Sequence, residues 1–552
     1  MNSRPHGRCL AVTALLLAAA CAHPPPPAPP PAPPPDPALV AGAQQTLKEA
    51  LASGKASKVT RLFDPALVGV RSWTSETVPR ALDAWEVSLT PALVNGDQVV
   101  AHLRLHTARL RGADGVAEWK SVVSVTPDPD TTWRFGQPPP TTLQQLRVDS
   151  WKRDIAFVRT ELPRRHVNAF QEIRRPQFEG ALAALEGALP RLEDHQIQVG
   201  LMGAVALLGD THTRLRTSFQ SVGIELEWFA DGLFVTRAAR PHTELARTRL
   251  LRVGTLSYDQ AALRVKSVFA TDNDSGVYYL APWYLAQPEV LHAVGLARRP
   301  EAAFYAFQRS DGHEINLELA LPDPGKALRW PDRPAPMLRE RQPEKPFWFQ
   351  RLTRGRALYL KYNRCQDPEA FREMTGKLLA ILDRGGIERV VIDLRDNEGG
   401  DSTVTEPLLV GLAERRALAS LRASADIKTG ARFQIVGLIG RRTFSSGMWT
   451  AIHLRNRLGA TLVGEPTSGK PNSPGEVQTV RLPVSGLELQ YSTKNWLRDP
   501  GNDLPALMPD LIVAGKAADH FARRDVVLDA ALGFNSKPTP GPQAGATATA
   551  LR

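Results

Sequence analysis

Cysteine is scarce in this chain, which has 552 residues and only three cysteines. Cys9 and Cys21 both lie near the N-terminus, so Cys365 is the only thiol in the rest of the chain. A single thiol cannot form an internal disulfide, and a chain of this length can bury a sizeable core without one. Cys365 follows a predicted strand and has no histidine near it in sequence, so we interpret it as structural.

Other features that define common functional classes are also missing. After Cys21, no apolar run approaches the roughly 18 residues that a membrane-spanning helix needs. There is no His-Glu-x-x-His segment, no pair of cysteines with metal-ligand spacing and no Gly-Lys-Ser/Thr phosphate loop, so we predict neither a metal nor a cofactor. The net charge is +11, but the basic residues are scattered and form no dense run, which argues against a nucleic-acid partner.

The N-terminus has the pattern of an export signal. Arg4 and Arg8 precede an apolar run over residues 9–20, which ends in three alanines before Cys21. This order predicts a cleaved signal over residues 1–21. It also resembles a bacterial lipoprotein box, in which Cys21 would carry the lipid and hold the protein at the periplasmic face of the cell envelope. The alternative is ordinary cleavage and secretion, with no role for Cys21.

The rest of the chain divides by composition and periodicity, and its length favours three or four domains. We predict a proline-rich tether at 22–37, a small α+β accessory module at 38–140, a helical segment at 141–220, a PDZ-like segment at 221–325, an α/β core at 345–534 and a disordered tail at 535–552. The tether is nearly all proline and alanine, a composition typical of a semi-rigid polyproline spacer. The accessory module shows no catalytic pattern, so we predict a binding or spacer role.

Hydrophobic periodicity supports this division. The predicted helices are at 41–51, 178–189 and 199–208, and the predicted strands of the accessory module are at 99–105 and 119–125. A strand, turn and helix over residues 249–261 resemble part of a PDZ domain in degenerate form. In the core, the predicted strands are at 357–362, 390–394, 433–439 and 461–463, with a hairpin over 477–491. Helices between these strands predict a largely parallel or mixed sheet.

Ser445 is the candidate nucleophile in this core. It follows the strand at 433–439 and stands where a helix is predicted to begin, so free N–H groups and the helix dipole there favour negative charge. The Ser446 N–H could stabilise an oxyanion, and a glycine turn at Gly399 and Gly400 could supply a second donor. The plainer interpretations are that Ser445 is a helix N-cap and that the glycines form an ordinary loop.

Five motifs then follow one another along the chain: DTHT at 210–213, DLRDNEGG at 393–400, TFSSG at 443–447, GEPTSGK at 464–470 and PD at 509–510. Together they resemble the tail-specific (C-terminal processing) serine peptidase family, and DTHT is similar to the histidine motif of its tricorn-core-like branch. The resemblance covers roughly residues 141–532 and implies a ClpP/crotonase-like catalytic core with a mixed sheet. Asp396 stands where the family usually has glycine.

The resemblance implies two candidates for the general base. In the tricorn-like pattern, His212 would be the base and Asp503, which lies 58 residues after Ser445, its acid partner. In the processing branch, Lys470, which lies 25 residues after Ser445, would be the base. A lysine base must be desolvated to be neutral near pH 7, and residues 468–475 are predicted to be solvated, so we favour His212. Without the motifs, the favoured interpretation of His212 is a histidine that only hydrogen-bonds within its own loop.

These observations lead to one hypothesis and one alternative. The hypothesis is an exported, lipid-anchored serine peptidase that binds polypeptide substrates through the PDZ-like segment and cleaves them with Ser445. The alternative is an inactive member of the same fold that binds a peptide or an apolar ligand. The sequence predicts no oligomeric state.

Overall fold

The computed structural model describes residues 37–65, 67, 70–95, 98–109, 111, 117–128, 130–138, 140–323, 325–424 and 433–533. The predicted signal with Cys21, nearly all of the tether and the predicted tail lie outside these ranges. The chain forms two compact units, Met1–Arg147 and Val148–Arg552. Within the described residues, no helix is both long and apolar enough to cross a membrane.

The first unit combines three helices with an antiparallel sheet. Its elements are α1 (Pro37–Ala52), α2 (Ala56–Thr60), α3 (Val70–Thr77), β1 (Glu86–Asn95), β2 (Gln98–Thr107), β3 (Ala117–Asp128) and β4 (Thr132–Gly136). The strands pair in chain order. Apolar side chains at positions 43, 47 and 51 of α1 are buried, as helical spacing requires, and those at 99, 101, 103 and 105 of β2 are buried, as strand alternation requires. This part therefore contains both helices and an antiparallel sheet.

The second unit begins with a helical part, and α4 starts in the first unit and continues into it. The helices are α4 (Pro140–Arg165), α5 (Arg175–Ala188) and α6 (Asp194–Ala206). The helices predicted at 178–189 and 199–208 are therefore present, with shifted boundaries. A short strand, β5 (Arg214–Arg216), follows the DTHT motif.

An antiparallel sheet and three short helices come next. The elements are β6 (Ile224–Phe229), β7 (Gly232–Ala238), β8 (Arg249–Val253), β9 (Leu256–Ser257), α7 (Tyr258–Val265), α8 (Asp274–Leu285), α9 (Pro288–Ala293), β10 (Ala302–Gln308) and β11 (Glu314–Ala320). The strand order is β11-β10-β8-β7-β6, with β9 beside β8. The strand, turn and helix predicted at 249–261 are confirmed, and β6 lies at an edge of the sheet.

The core of the second unit is a six-stranded mixed sheet flanked by helices. Its elements, with those of the hairpin that follows β16, are β12 (Phe347–Leu352), β13 (Ala357–Tyr362), α10 (Pro368–Asp383), β14 (Arg389–Asp393), α11 (Glu406–Ser424), β15 (Gln434–Ile439), α12 (Ser446–Leu458), β16 (Thr461–Gly464), β17 (Ser473–Arg481), β18 (Glu488–Trp496), β19 (Leu511–Ile512), α13 (Ala517–Phe521) and α14 (Val526–Gly533). The sheet order is β12-β13-β14-β15-β16-β19, and only the β12–β13 pair is antiparallel. The predicted mixed sheet is confirmed.

Helices cover both faces of this sheet. Every residue of β13 and β14 is buried, as expected for central strands of a two-sided sheet. Helices α10, α11 and α12 pack on one face and α14 packs on the other. Because parallel strands all end at the same edge, the segments after β14 and β15 lie side by side there.

A smaller sheet ties the DTHT motif to the core. The predicted hairpin forms from β17 and β18, and β5 pairs with β18 to make a third strand, with Leu215 opposite Leu489. This pairing across a long stretch of chain was not predicted. It brings residues 210–213, which directly precede β5, next to the β17–β18 hairpin.

Candidate active site

Ser445 occupies a strained turn between a strand and a helix. It follows β15 and is the last residue before α12. Its backbone has φ 49° and ψ −124°, a conformation that costs a non-glycine residue about 1–3 kcal/mol. It occupies the N-cap position of α12, but its side chain makes no capping hydrogen bond, so capping does not account for this serine. A serine held in strain at a strand-to-helix turn has the geometry of a nucleophile elbow.

Buried polar contacts hold this turn against the end of the neighbouring strand. The Thr443 hydroxyl donates to the carbonyl of Leu394, just after β14, at 2.8 Å. The Phe444 N–H donates to the carbonyl of Asn397 at 2.9 Å. These contacts fix the residues on the N-terminal side of Ser445 and therefore help to offset its backbone strain.

The strand-to-helix turn that carries Ser445 is called the nucleophile turn below. The glycine turn lies directly against it. A Cβ on Gly399 would come within 2.8 Å of the Ser445 Cβ and 3.0 Å of the Ser446 nitrogen, so this approach requires glycine. A Cβ on Gly400 would come within 2.2 Å of the Cys365 carbonyl oxygen. The Ser446 hydroxyl donates to the Gly400 carbonyl at 2.6 Å, which joins the two turns. The structure thus brings Ser445, Ser446 and both glycines together.

Two backbone amides at this point are available to an oxyanion. Ser446 is the first residue of α12, and its N–H has no hydrogen-bond partner among the described residues. The Gly399 N–H donates instead to the Asn397 side chain at 2.9 Å. The Gly400 N–H has no partner in the same part of the chain. Gly400 and Ser446 are therefore the better donors, whereas Gly399 provides the close approach.

His212 lies beside the nucleophile turn. Its ring packs on Phe444, the residue before Ser445, with 4.4 Å between ring centroids. The side chain is 9% exposed, and neither ring nitrogen has a hydrogen-bond partner in the described structure, so no hydrogen bond joins it to Ser445. Burial lowers the pKa of His212; the Asp210 carboxylate opposes this shift and Arg214 adds to it. The neutral imidazole is therefore favoured.

Asp210 is a buried carboxylate beside this histidine. Its Oδ1 lies 3.8 Å from His212 Nδ1 and accepts the His212 backbone N–H at 3.0 Å. Its Oδ2 accepts hydrogen bonds from His166 Nε2 at 3.0 Å, from the Ser492 hydroxyl at 2.6 Å and from the Thr213 hydroxyl at 2.5 Å. Burial alone would raise the pKa of Asp210. Several contacts outweigh burial and lower this pKa to about 2, and the largest of them are the hydrogen bond from His166 and the charge of His212. Asp210 is therefore charged near neutral pH.

Lys470 is held in ion pairs with two carboxylates. Its Nζ donates to Glu172 Oε1 at 2.9 Å and lies 3.8 Å from Asp272 Oδ1. Burial alone would lower the pKa of Lys470, but the hydrogen bond to Glu172 and the charge of Asp272 raise it above its ordinary value. A charged ammonium cannot accept a proton. Its surroundings are partly buried rather than solvated, so the reason for doubting this base differs from the one predicted.

Asp503 and Cys21 are the remaining predicted site residues. Asp503 is exposed, and the structure does not bring it into hydrogen-bond contact with His212, whose ring nitrogens are both unpaired. Asp210 takes the place beside the imidazole that was expected for Asp503. Cys21 lies outside the described residues.

A cleft of about 1490 Å3 leads to the glycine turn, and Gly399 is part of its wall. The edge strand β6 and helix α8 form another part of the wall. Arg441 donates to the Trp228 carbonyl on β6 and to Glu465 at 2.6 Å. Trp228 stacks against Tyr278 of α8, with 4.7 Å between ring centroids. The cleft therefore joins an open strand edge and an aromatic surface to the glycine turn.

Sequence reasoning missed Asp210, His166 and Asn397. The aspartate stands two residues before His212, and this short spacing was an available signal. His166 gave no local signal, because it reaches Asp210 only through tertiary packing. Among the described residues, no group of three or more His, Cys, Asp or Glu side chains is arranged to hold a metal ion.

The fold and this site define a serine hydrolase in which the nucleophile turn and the glycine turn meet at the edge of a mixed sheet. Residues 356–513 match the family model described as peptidase family S41. The match of this segment supports a tail-specific, serine-type peptidase family for the catalytic core. A search of the curated proteins finds no match to this sequence.

Solved structures show more distant likenesses. Mature CPAF complexed with lactacystin aligns with 68% of this chain and 96% of its own, at 13% identity and a TM-score of 0.48. A photosystem II D1 C-terminal processing protease aligns with 67% and 92%, at 15% identity and a TM-score of 0.32. A peptidase of Parabacteroides merdae aligns with 70% and 95%, at 13% identity and a TM-score of 0.33. The family assignment rests on the matched segment.

Proposed function

We propose that this protein is an endopeptidase or carboxyl-terminal processing peptidase in which Ser445 is the nucleophile and His212 the general base. The observation that carries the proposal is the strained Ser445 turn, which faces a buried, neutral histidine and free backbone amides. In the first step the Ser445 hydroxyl attacks the scissile carbonyl while His212 takes its proton. The proton then passes to the leaving amine, and a water molecule hydrolyses the resulting ester by the same route.

Asp210 is the acid that orients the base in this proposal. The Asp210 carboxylate faces His212 Nδ1 and accepts the backbone N–H of the same residue, which fixes the start of the histidine side chain. A charged carboxylate there stabilises the imidazolium that forms during attack and leaves Nε2 for the serine. The missing hydrogen bond between His212 and Ser445 does not count against this role, because catalytic hydrogen bonds often form only when substrate is bound.

The Ser446 and Gly400 amides are the oxyanion donors. Both N–H groups are free among the described residues and stand in adjoining turns that the Ser446 hydroxyl holds together. Donors that are fixed before the reaction need no reorganisation when charge develops, so each contributes a large rate factor.

The cleft beside β6 is the proposed substrate groove of a PDZ-like segment. β6 is the edge strand of its sheet, so an extended peptide can add to it through backbone hydrogen bonds. Arg441 already occupies the Trp228 carbonyl, so an added strand would end at that residue. Trp228 and Tyr278 would then contact an apolar side chain of the substrate.

The first experiment is turnover of an unfolded protein and of an internally quenched peptide by the purified full-length chain. Ser445→Ala should abolish turnover, while Ser485→Ala, in the exposed β17–β18 turn, should leave it unchanged. Wild-type protein should react with a fluorophosphonate at one serine. Equal turnover by wild type and Ser445→Ala would refute the nucleophile. Peptide binding without turnover or labelling would favour the inactive, ligand-binding alternative.

The second experiment decides the base. His212→Ala should lower kcat by about 10²–10⁴-fold, as loss of a general base does. Lys470→Ala should change kcat far less and act mainly on stability. The exposed His313 provides the matched control, and His313→Ala should behave as wild type. If Lys470→Ala is inactive and His212→Ala is active, the lysine assignment replaces ours.

The cellular location is part of the same proposal. The signal pattern and the alanines before Cys21 support export and lipid attachment at the periplasmic face of the cell envelope. Labelling of the expressed protein with an alkyne fatty acid should be lost in Cys21→Ser. Retention of label by that variant would overturn the anchor, and a soluble, unlabelled wild type would favour secretion.

A further inference from the structure

Asp396 and Lys361 form a buried ion pair behind the glycine turn. Lys361 is the second-last residue of β13, and its side chain is 1% exposed. Its Nζ donates to Asp396 Oδ2 at 2.6 Å and lies 3.6 Å from Asp393 Oδ1. In the strand register Lys361 stands opposite Asp393, the last residue of β14. A lysine so deeply buried needs its carboxylate partners, because an unpaired charge there would be very costly.

The ion pair belongs to a network with balanced charge. Its carboxylates are Asp393, Asp396 and Asp525, and its cations are Lys361, Arg339 and Arg395. Arg442 lies close enough to act on Asp396 as well, but it is itself paired with Glu398 at 3.0 Å. Loss of Lys361 would therefore leave one excess negative charge beside the glycine turn.

Asp396 is linked through Asn397 to the two turns that carry the oxyanion donors. It precedes Asn397, whose side chain accepts the Gly399 N–H and whose carbonyl accepts the Phe444 N–H. Asp396 also contributes to the wall of the cleft, and its side chain is 22% exposed. An uncompensated carboxylate at this place would repel the oxyanion that forms during attack.

We propose that Lys361 is a positioning residue for the glycine turn: it neutralises Asp396 and holds the segment that carries Gly399 and Gly400 in its catalytic orientation. The inference rests on the proposed function and deepens it, since it assigns a role to the aspartate that replaces the usual glycine. It predicts that Lys361 affects transition-state stabilisation more than substrate binding, because Lys361 does not line the cleft and Asp396 lines it beside Gly399 rather than on β6 or α8.

The test is a double-mutant cycle on the full-length enzyme with Lys361→Met, Asp396→Asn and the double variant. Lys361→Met should lower kcat by about 10–100-fold, short of the loss of a whole oxyanion donor, with KM within about threefold. Asp396→Asn should cost less than about tenfold. The double variant should recover most of the loss, since it removes the unpaired charge. Lys377→Met on the exposed face of α10 is the matched lysine control and should have no effect.

A pH profile separates this role from a merely structural one. In Lys361→Met the Asp396 carboxyl keeps Arg339 but loses its closest cation, so it takes up a proton more readily, and the ratio of the variant kcat to the wild-type kcat should rise as the pH is lowered. A variant that is only less well folded would show no such rise. Circular dichroism and thermal melts report the folded fraction throughout.

The outcomes are distinct. A wild-type kcat for Lys361→Met, or a double variant no better than Lys361→Met, would overturn the proposal. If Lys361→Met does not fold, the double variant decides: a folded, active double variant supports the proposal, and an unfolded or inactive one refutes it. Ser445→Ala is measured alongside. If it retains turnover, the proposed nucleophile fails together with this role; if it is inactive while Lys361→Met matches wild type, only the present inference fails.

Discussion

Replacing Asp210 with asparagine tests whether this carboxylate orients His212. The change keeps the size of the side chain but removes its charge and one of its two acceptor oxygens. His166 Nδ1 accepts the Asn168 N–H at 3.0 Å, so its Nε2 carries the proton and donates to Asp210. If the asparagine NH2 group faced this N–H, two donors would meet and no hydrogen bond could form between them.

The expected loss of stability follows from the pKa of Asp210. That pKa is about 2 in the folded protein, against an ordinary value near 4, and the difference corresponds to roughly 2–3 kcal/mol. Removal of one partner from a buried charged network costs about 3–5 kcal/mol, so Asp210→Asn should lower the free energy of unfolding by an amount in that range. Because the folded pKa is lowered, this contribution is complete above the unfolded value near 4 and is lost as the pH falls toward 2.

Asp210→Asn should reduce activity by more than its loss of stability alone would explain. Without Asp210 the imidazole loses its orienting partner and the charge that stabilises imidazolium, so kcat should fall by about 10²–10⁴-fold. Ser492→Ala removes one hydrogen bond to the same carboxylate without touching the His212 ring, and should cost about 1–2 kcal/mol of stability but less than about fivefold in kcat. Steady-state peptide hydrolysis and urea unfolding measure both quantities.

The comparison with Asp503 decides the assignment. Asp503→Asn should keep kcat within about threefold of wild type, because this side chain is exposed and does not bond to His212. If Asp503→Asn is severely impaired while a folded Asp210→Asn is active, the argument from the tertiary contacts is wrong and the family spacing is the better guide.

The remaining predictions concern the glycine turn and two titrating groups. Gly399→Ala should reduce kcat at least about 100-fold, because its φ is 108° and the new Cβ would meet Ser445; normal fluorophosphonate labelling would contradict this. The acid limb of kcat/KM should lie below the ordinary histidine value near 6.5, and Arg214→Gln should move it to higher pH by removing a charge that lowers the His212 pKa; an unmoved limb would dismiss His212 as the titrating base. Burial raises the pKa of Asp272 to about 6, so its carboxylate form weakens the fold as the pH rises through that value. Asp272→Asn should therefore raise the Tm at pH 7–8 and not near pH 4, and a lower Tm at both would show that its pairing with Lys470 dominates.

The secondary structure of the catalytic core was predictable because its signals are local. The strand at 357–362 was placed exactly where β13 lies, and the start of α12 was predicted to within one residue. The hairpin over 477–491 was also predicted, since its two alternating strands flank a short Ser-Gly turn. The multidomain mixed fold follows from such elements. The third strand of that hairpin sheet, β5, has three residues and no pattern of its own, and it is a strand only because β18 is beside it.

Part of the candidate site was open to sequence reasoning and part was not. Ser445, Gly399 and Gly400 stand out because a nucleophile turn needs an order of residue types that is visible along the chain. The strain at Ser445 is not visible, since it arises from contacts with the end of β14. The acid partner predicted at Asp503 is exposed and makes no hydrogen bond to His212, which a spacing taken from a family cannot show.

The sequence alone determined the reaction class: a strand, a turn and a helix with Ser445 between them are set by neighbouring residues, and the family motifs lie in the same short segments. Only the tertiary structure favours one of the two proposed proton acceptors over the other. The sequence shows that residue 212 is a histidine and residue 470 a lysine. Whether each side chain is neutral depends on burial and on partners from distant segments. Burial favours a neutral imidazole, whereas Glu172 and Asp272 keep the ammonium charged. A pKa is a property of the folded surroundings, and the sequence does not contain those surroundings until the chain has folded.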